Sequence, residues 1–450
     1  MRLPHIVLII ADDLGWGDAR CYNAGSAIPT PRIDRIADGG CRFTDVHAPG
    51  AVCTPSRFGL MTGQYYWRLG LDRPGLDGYD ADIVQTRTTV ASLLQGRGYH
   101  TACVGKWHLG LGTERPTDFS RPFHPCPVDH GFDSFYGLAS SLDMPPYCYI
   151  ENDRALPRPT EGIVGTPHGT PGFYRSGAIA PGFKHEEVLP TLTGKAVEAI
   201  DTHTAAHPER PLFLYFALNG PHTPWLPVPH ARGKSGAGRY GDFVWQVDDA
   251  IGQVTEALEQ NRMAGDTLLI VTSDHGGLQS WIPEEYGHRC NGPWRGQKGD
   301  AWEGGHRIPF IVRWPGHIEA DSTNDALMSL TDMLATFAAV VDVTLPGGVG
   351  EDSLNQLPVW LGECPAVRDD LVIDSVRGLH VVRKGNWKLI DGSGSGGLRW
   401  KAEEHQPKAG EPEGQLYNLA DDPGETHNRW AEMPEKVGEM LEAMRTARRA

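Results

Sequence analysis

The stretch IVLIIADD, Ile6 to Asp13, runs five bulky apolar residues straight into two adjacent carboxylates. It is short and rich in β-branched residues, which marks a strand buried on both faces. The design recurs. HTACV (100–104) leads into GKWHLG, PLFLYFAL (211–218) into Asn219-Gly-Pro-His222, and TLLIVTS (267–273) into Asp274-His275. IPFIVRW (308–314) instead follows Glu303-Gly-Gly-His-Arg307. Helical patterns lie between these runs, at 89–98, 188–203, 243–263 and 325–342. The alternation predicts an α/β fold, a large, mostly parallel or mixed sheet with helices on both faces. In such sheets ligands bind beyond the carboxyl ends of the strands, where four of the polar clusters fall.

From about residue 365 the texture changes. LVIDSV, GLHVVRKG and NWKLID are strand-like at hairpin spacing, followed by DGSGSGG, the polar stretch 399–414, QLYNL and a final helix over 434–449. This predicts a catalytic domain over 1–364 and a small C-terminal α+β unit over 365–450, an antiparallel sheet with a helix. Segment 145–187, rich in Pro, Gly and Thr, reads as a long irregular insertion of the kind that often carries function.

A chain of 450 residues, 40% of them hydrophobic, can bury a large core. Its net charge of −16 argues against nucleic acid as a partner, because phosphate binding needs a basic face. No run approaches membrane-spanning length, and the first residues lack the features of a signal peptide, so the reading is of a soluble chain with no leader. If a leader was removed the location is periplasmic or secreted, otherwise cytoplasmic. The eight cysteines show no zinc-type spacing, and a disulfide-dense scaffold does not suit this size.

Each polar cluster has two readings. Asp12 and Asp13 are either ligands of a hard divalent cation or a strand-end turn with a helix cap. Asp274-His275 repeats the choice at a second strand end. Lys106 and His108 in GKWHLG share a site if the chain is extended there, and otherwise form a solvated turn. His222 sits in a Pro-rigid loop, and Lys298 lies in the Gly-rich RGQKGDAWEGGHRIP (295–309). In AVCTPSRFGLMTG (51–63), Pro55 suits a first helical turn, which puts Cys53 at a helix N-terminus and Arg57 one turn on. By residue type alone a buried structural cysteine is the commoner reading.

CTPSRFGLMTG resembles the signature of the formylglycine-dependent type I sulfatases of the alkaline phosphatase superfamily. IADDLGWGD, GKWHLG, GPHTP, TSDHGG, RGQKGDAWEGGHRIP and QLYNLADDPGETHN follow the family's order across nearly the whole chain. The resemblance is to the arylsulfatase and N-acetylhexosamine-sulfatase branch. It implies that a maturation enzyme reads the Pro-Ser-Arg context and oxidises Cys53 to formylglycine, hydrated to a diol. It implies that Asp12, Asp13, Asp274 and His275, with modified Cys53, hold one divalent ion, usually calcium. Many relatives have Asn in place of His275, and an imidazole keeps manganese open.

The same resemblance assigns roles. Arg57, Lys106 and Lys298 gather the charge of a sulfate ester, and a diol oxygen, activated by the metal and Asp274, attacks sulfur. The leaving alcohol takes a proton from His222, with Lys298 the other candidate. His108 then deprotonates the second hydroxyl and sulfate leaves. Ser141 contacts the sulfate, and Trp302, His306, Trp225 and aromatics of the insertion are candidates for a sugar subsite. The expected activity is hydrolysis of a sulfate ester, best guessed as a sulfated saccharide, with no nucleic-acid or membrane partner. The alternatives are a phosphonate monoester or phosphodiester hydrolase and a catalytically silent binder of sulfated glycans.

Overall fold

The computed structural model describes residues 3–71, 75–398, 407 and 410–449. Most of the polar stretch 399–414 lies outside them. Ten strands follow one another in the main sheet: Ser322–Asn324, Cys41–His47, Arg307–Arg313, Thr267–Ser273, His5–Asp12, Leu212–Pro221, His100–Lys106, Ser134–Leu138, Ile150–Glu151 and Arg154–Ala155. An eleventh, Met328–Ser329, pairs beside Cys41–His47. The quoted stretch is the centre of this sheet: His5–Asp12 is buried throughout and runs parallel to both neighbours.

Alternate residues of that strand feed two cores, as a period of two demands. Ile6, Leu8 and Ile10 pack with Phe58, Leu94 and Phe337, from helices Cys53–Thr62, Val90–Gly96 and Met333–Val340. Val7, Ile9 and Ala11 pack with Ile36, Leu192 and Val247, from Pro31–Asp38, Val188–Ala206 and Gly238–Gln260. Parallel register aligns the strand ends: Ala11 faces Ser273, and Gly105 faces Ala217. Asp12, Asp274, Lys106 and the Asn219–His222 turn therefore emerge side by side.

The structure departs from the sequence reading in four places. Arg307–Arg313 runs antiparallel to both neighbours, since an apolar run carries no signal of direction. Cys41–His47 is a strand that alternation only weakly marks, with Arg42 and Thr44 between its buried positions. The apolar pattern 325–342 divides into strand Met328–Ser329, a tight turn and helix Met333–Val340, because the Ser329 hydroxyl accepts from the Thr331 amide and caps the turn. The insertion is partly ordered: Ile150–Glu151 and Arg154–Ala155 extend the main sheet, and Glu161–Ile163 pairs with Gly177–Ile179. The cysteines are all free, and among the described residues no helix is long and apolar enough to cross a membrane.

Strands Asp370–Asp374, His380–Lys384, Trp387–Ile390 and Gln415–Asn418 form an antiparallel sheet covered by helix Pro434–Arg449. It meets the main sheet through buried charge. Glu303 lies 3.1 Å from Lys388, 3.2 Å from Arg383 and 2.8 Å from Arg307. Both arginines also bond Asp45, and Lys388 bonds Glu425 at 2.8 Å.

Removing one partner from such a network leaves the others buried and unpaired, at a cost of about 3–5 kcal/mol. Glu303→Gln should lower the urea midpoint accordingly. Burial opposes ionisation of Asp45 and Glu303, yet the surrounding cations hold both below the usual carboxylate range. Carboxyls held low stabilise the fold above their unfolded pKa, near about 4, and lose that contribution as pH falls below it. The thermal midpoint should therefore drop on acidification below about pH 4, less steeply in Glu303→Gln.

Candidate active site

Helix Cys53–Thr62 is buried along its whole length and opens on Cys53 after the extended Val52. The Ser56 hydroxyl donates to the Gly50 and Val52 carbonyls at 2.7 and 3.0 Å, which fixes the entry to the helix. Gly63, at φ 65°, ends it in the left-handed conformation. The helix thus delivers Cys53 to the strand ends, where its Sγ lies 3.2 Å from His275 Nε2 and 3.5 Å from Asp12 Oδ1. Burial disfavours a thiolate, but Lys106 and Lys298 outweigh it and bring the Cys53 pKa down to about 5.

Arg57 does not turn back onto Cys53 by a hydrogen bond. Its Nε and Nη2 donate to Asp274 Oδ2 at 3.1 and 2.9 Å, and its Nη1 donates to the Lys106 carbonyl at 3.1 Å. Lys106 Nζ bonds both oxygens of Asp12 at 2.9 and 2.8 Å, and Lys298 Nζ bonds Asp13 Oδ1 at 2.6 Å. Asp13 takes φ 69°, and its amide donates to Asp274 Oδ1 at 3.2 Å. One cation-rich, carboxylate-rich cluster results, with every member buried.

The donor set fits a divalent cation. Ligand atoms of Asp12, Asp13, Cys53 and His275 lie within 4.8 Å of one another. Asp274 Oδ1 is 3.4 Å from His275 Nε2. Burial pushes the Asp12 pKa up to about 7 despite Lys106, so this carboxylate lacks compensating charge. Burial also opposes charge on His275, but Asp274 and Cys53 raise it to about 9. Its Nδ1 donates to the Gly276 carbonyl at 2.9 Å, which turns Nε2 toward the carboxylates.

Two further imidazoles face the same cavity, whose volume is about 500 Å³. His108, at φ 61°, donates from Nε2 to the Leu76 carbonyl at 2.8 Å, and its Nδ1 is buried without a partner. That tautomer leaves a lone pair on Nδ1. Burial, then Lys106, holds His108 well below the ordinary imidazole range. His222 Nδ1 lies 2.7 Å from the Thr223 carbonyl, which leaves Nε2 on the Asp13 side, 3.9 Å from Oδ2. Ser141 lines the cavity with a buried, unpartnered hydroxyl.

Three sequence candidates sit elsewhere. His306 is buried between His47, at 2.9 Å, and Lys388, at 3.1 Å, in the network joining the sheets, so it has no face toward the cavity. Trp302 lines a different cleft, under Arg295 and bonded to Gln415 at 3.0 Å. Trp225 is buried against Tyr240. The cavity wall is instead built from His168, Phe173 and Arg175 of the insertion together with Asp143 and Trp281. Only the aromatic content of the insertion signalled any of these in the sequence.

A family model described as Sulfatase matches residues 4–343. The chain is 34% identical to an N-acetylgalactosamine-6-O-sulfatase of Bacteroides thetaiotaomicron, over 99% of this chain and 93% of that protein. It is 34% identical to human arylsulfatase A, over 99% of this chain and 87% of that protein. A solved structure described under metabolism of multiple glycosaminoglycans by Bacteroides thetaiotaomicron superposes with a TM-score of 0.87 at 31% identity, covering both chains fully.

Arg57 is the counter-charge for Asp274 in a region closed to water. Arg57→Ala should cost about 3–5 kcal/mol of stability, read from the denaturation midpoint. Arg57→Lys should recover only part of it, because a point charge cannot make the forked contact.

Proposed function

We propose, from the premise that this chain belongs to the sulfatase family, that it hydrolyses the sulfate ester of a sulfated saccharide with a formylglycine made from Cys53 and a bound divalent ion. Family membership makes it a sulfuric ester hydrolase; the finer reading rests on one observation. Residue 53 heads a buried helix and points into a cluster of three carboxylates, an imidazole and two lysines at the floor of an open cavity.

Asp12, Asp13, Asp274 and His275 would hold the ion, with modified residue 53 beside it. The ion would supply positive charge for the sulfate oxygens and lower the pKa of an oxygen at residue 53. Calcium suits the carboxylates, and His275 leaves manganese as the alternative. Lys106 and Lys298, held on Asp12 and Asp13, draw the anionic group to the cavity floor. Ser141 adds a hydroxyl donor. His222 presents Nε2 to the leaving oxygen as the proton donor, with Lys298 as the other candidate. His108, neutral with a free Nδ1 lone pair, accepts the proton that residue 53 must lose before sulfate departs. Burial of Cys53–Thr62 supports conversion of Cys53 by a maturation enzyme before the chain folds, since no enzyme could grip Thr54 to Arg57 afterwards. The saccharide reading draws on the relatives named above.

Paired aryl sulfate and aryl phosphate esters test the reaction class. Sulfate should be released faster; a preference for phosphate would favour the phosphoester alternative that His275 keeps open. Chelation should abolish turnover, and calcium should restore it at least as well as manganese. Cys53→Ala should lower kcat by at least about 10³-fold, as loss of a nucleophile does.

A further inference from the structure

The cavity wall contains a carboxylate oxygen without a partner. Asp143 is 3% exposed and lines the cavity, and its Oδ1 is buried with no hydrogen bond. His222 Nδ1 is 3.9 Å away and directs its hydrogen to the Thr223 carbonyl. The other oxygen, Oδ2, is taken by Arg175 Nη1. Arg175 is itself anchored, since its amide donates to the Asp143 carbonyl at 2.9 Å and its carbonyl accepts from the Tyr147 hydroxyl at 2.7 Å. The pair is therefore held in place, with Oδ1 left over. A buried acceptor without a donor is costly and rare, which points to a ligand that supplies the donor.

Next to this pair the wall is aromatic. His168, Phe173 and Trp281 meet edge to face, with ring centroids 4.9 to 5.7 Å apart. Aromatic rings facing a cavity suit the C–H face of a sugar ring.

We infer that Asp143 is a specificity residue that accepts a hydrogen bond from a hydroxyl of the saccharide beside the sulfate ester, with Arg175 fixing the carboxylate that reads it. The inference rests on the sulfated-saccharide reading and sharpens it. A carboxylate here repels a second anion, so the substrate carries a neutral hydroxyl at this position, not another sulfate or a carboxylate. The closeness of Oδ1 to His222 places that hydroxyl on the leaving-group side of the ester.

The test compares N-acetylgalactosamine 6-sulfate, its monodeoxy analogues and 4-nitrophenyl sulfate as substrates of the matured, metal-loaded enzyme. In the wild type, one deoxy analogue should lose about 10- to 100-fold in kcat/KM, the range of a hydrogen bond to a charged group. In Asp143→Asn the amide oxygen would stay on Arg175 and turn a donor into the cavity. The penalty for that deoxy analogue should then shrink to under about 3-fold, and the ratio of sugar to aryl sulfate turnover should fall by about 10-fold or more. Deoxy analogues hydrolysed as well as the parent by the wild type would overturn the inference without needing any variant. So would an equal loss on sugar and aryl esters in Asp143→Asn, or a preference for substrates with a second anion that Arg175→Met removes. Absence of sulfate release from every ester, the aryl one included, would overturn the hydrolase reading itself and this inference with it.

Discussion

Three carboxylates, Asp12, Asp13 and Asp274, are buried together at adjacent strand ends. Isolated, they could not all stay ionised, because burial and mutual repulsion both favour protonation. The rest of the site answers that constraint. Arg57 forks onto Asp274, Lys106 closes on Asp12 and Lys298 on Asp13. Against burial, His222 and then Lys298 hold Asp13 low, and His275 and then Arg57 hold Asp274 low, while Asp12 stays high and lacks further charge. A divalent ion would resolve that imbalance, and its positive charge would then also serve an anionic ester.

The scaffold makes this possible through register. Parallel strands of similar length end together, so residues more than 260 positions apart meet within hydrogen-bonding distance, as the Asp13 amide and Asp274 do. The helix carrying Cys53 and Arg57 has no exposed face, because one side meets the core and the other meets the site. Where the two sheets meet, the Glu303 network solves a related problem differently. Three cations, Arg307, Arg383 and Lys388, and three carboxylates, Asp45, Glu303 and Glu425, neutralise each other with His47 and His306 packed among them.

Much of this was legible in the chain. IVLIIADD and its counterparts announce buried strands whose polar tails face one crevice, and Cys53, Lys106, His108, His222, Asp274 and Lys298 do converge there. Direction was not legible: Arg307–Arg313 carries an apolar run like those of the central parallel strands and runs antiparallel to both of its neighbours. Trp302 and His306 were misread because a motif places residues close in sequence, whereas the short helix Glu303–His306 turns them away from Lys298 toward the C-terminal sheet. Asp143 and Arg175 went unread because each looks like an ordinary surface charge until the fold of the insertion sets one against the other.

On the function proposed above, Cys53 is not a thiol in the working protein. The most direct measurement is the mass of the proteolytic peptide carrying residue 53, from protein made beside a maturation enzyme active on a control substrate. An aldehyde or its hydrate at that position is the expected result. An unmodified cysteine in that protein would contradict it, and would leave the cavity as a binding site for sulfated glycans with no nucleophile to act on them.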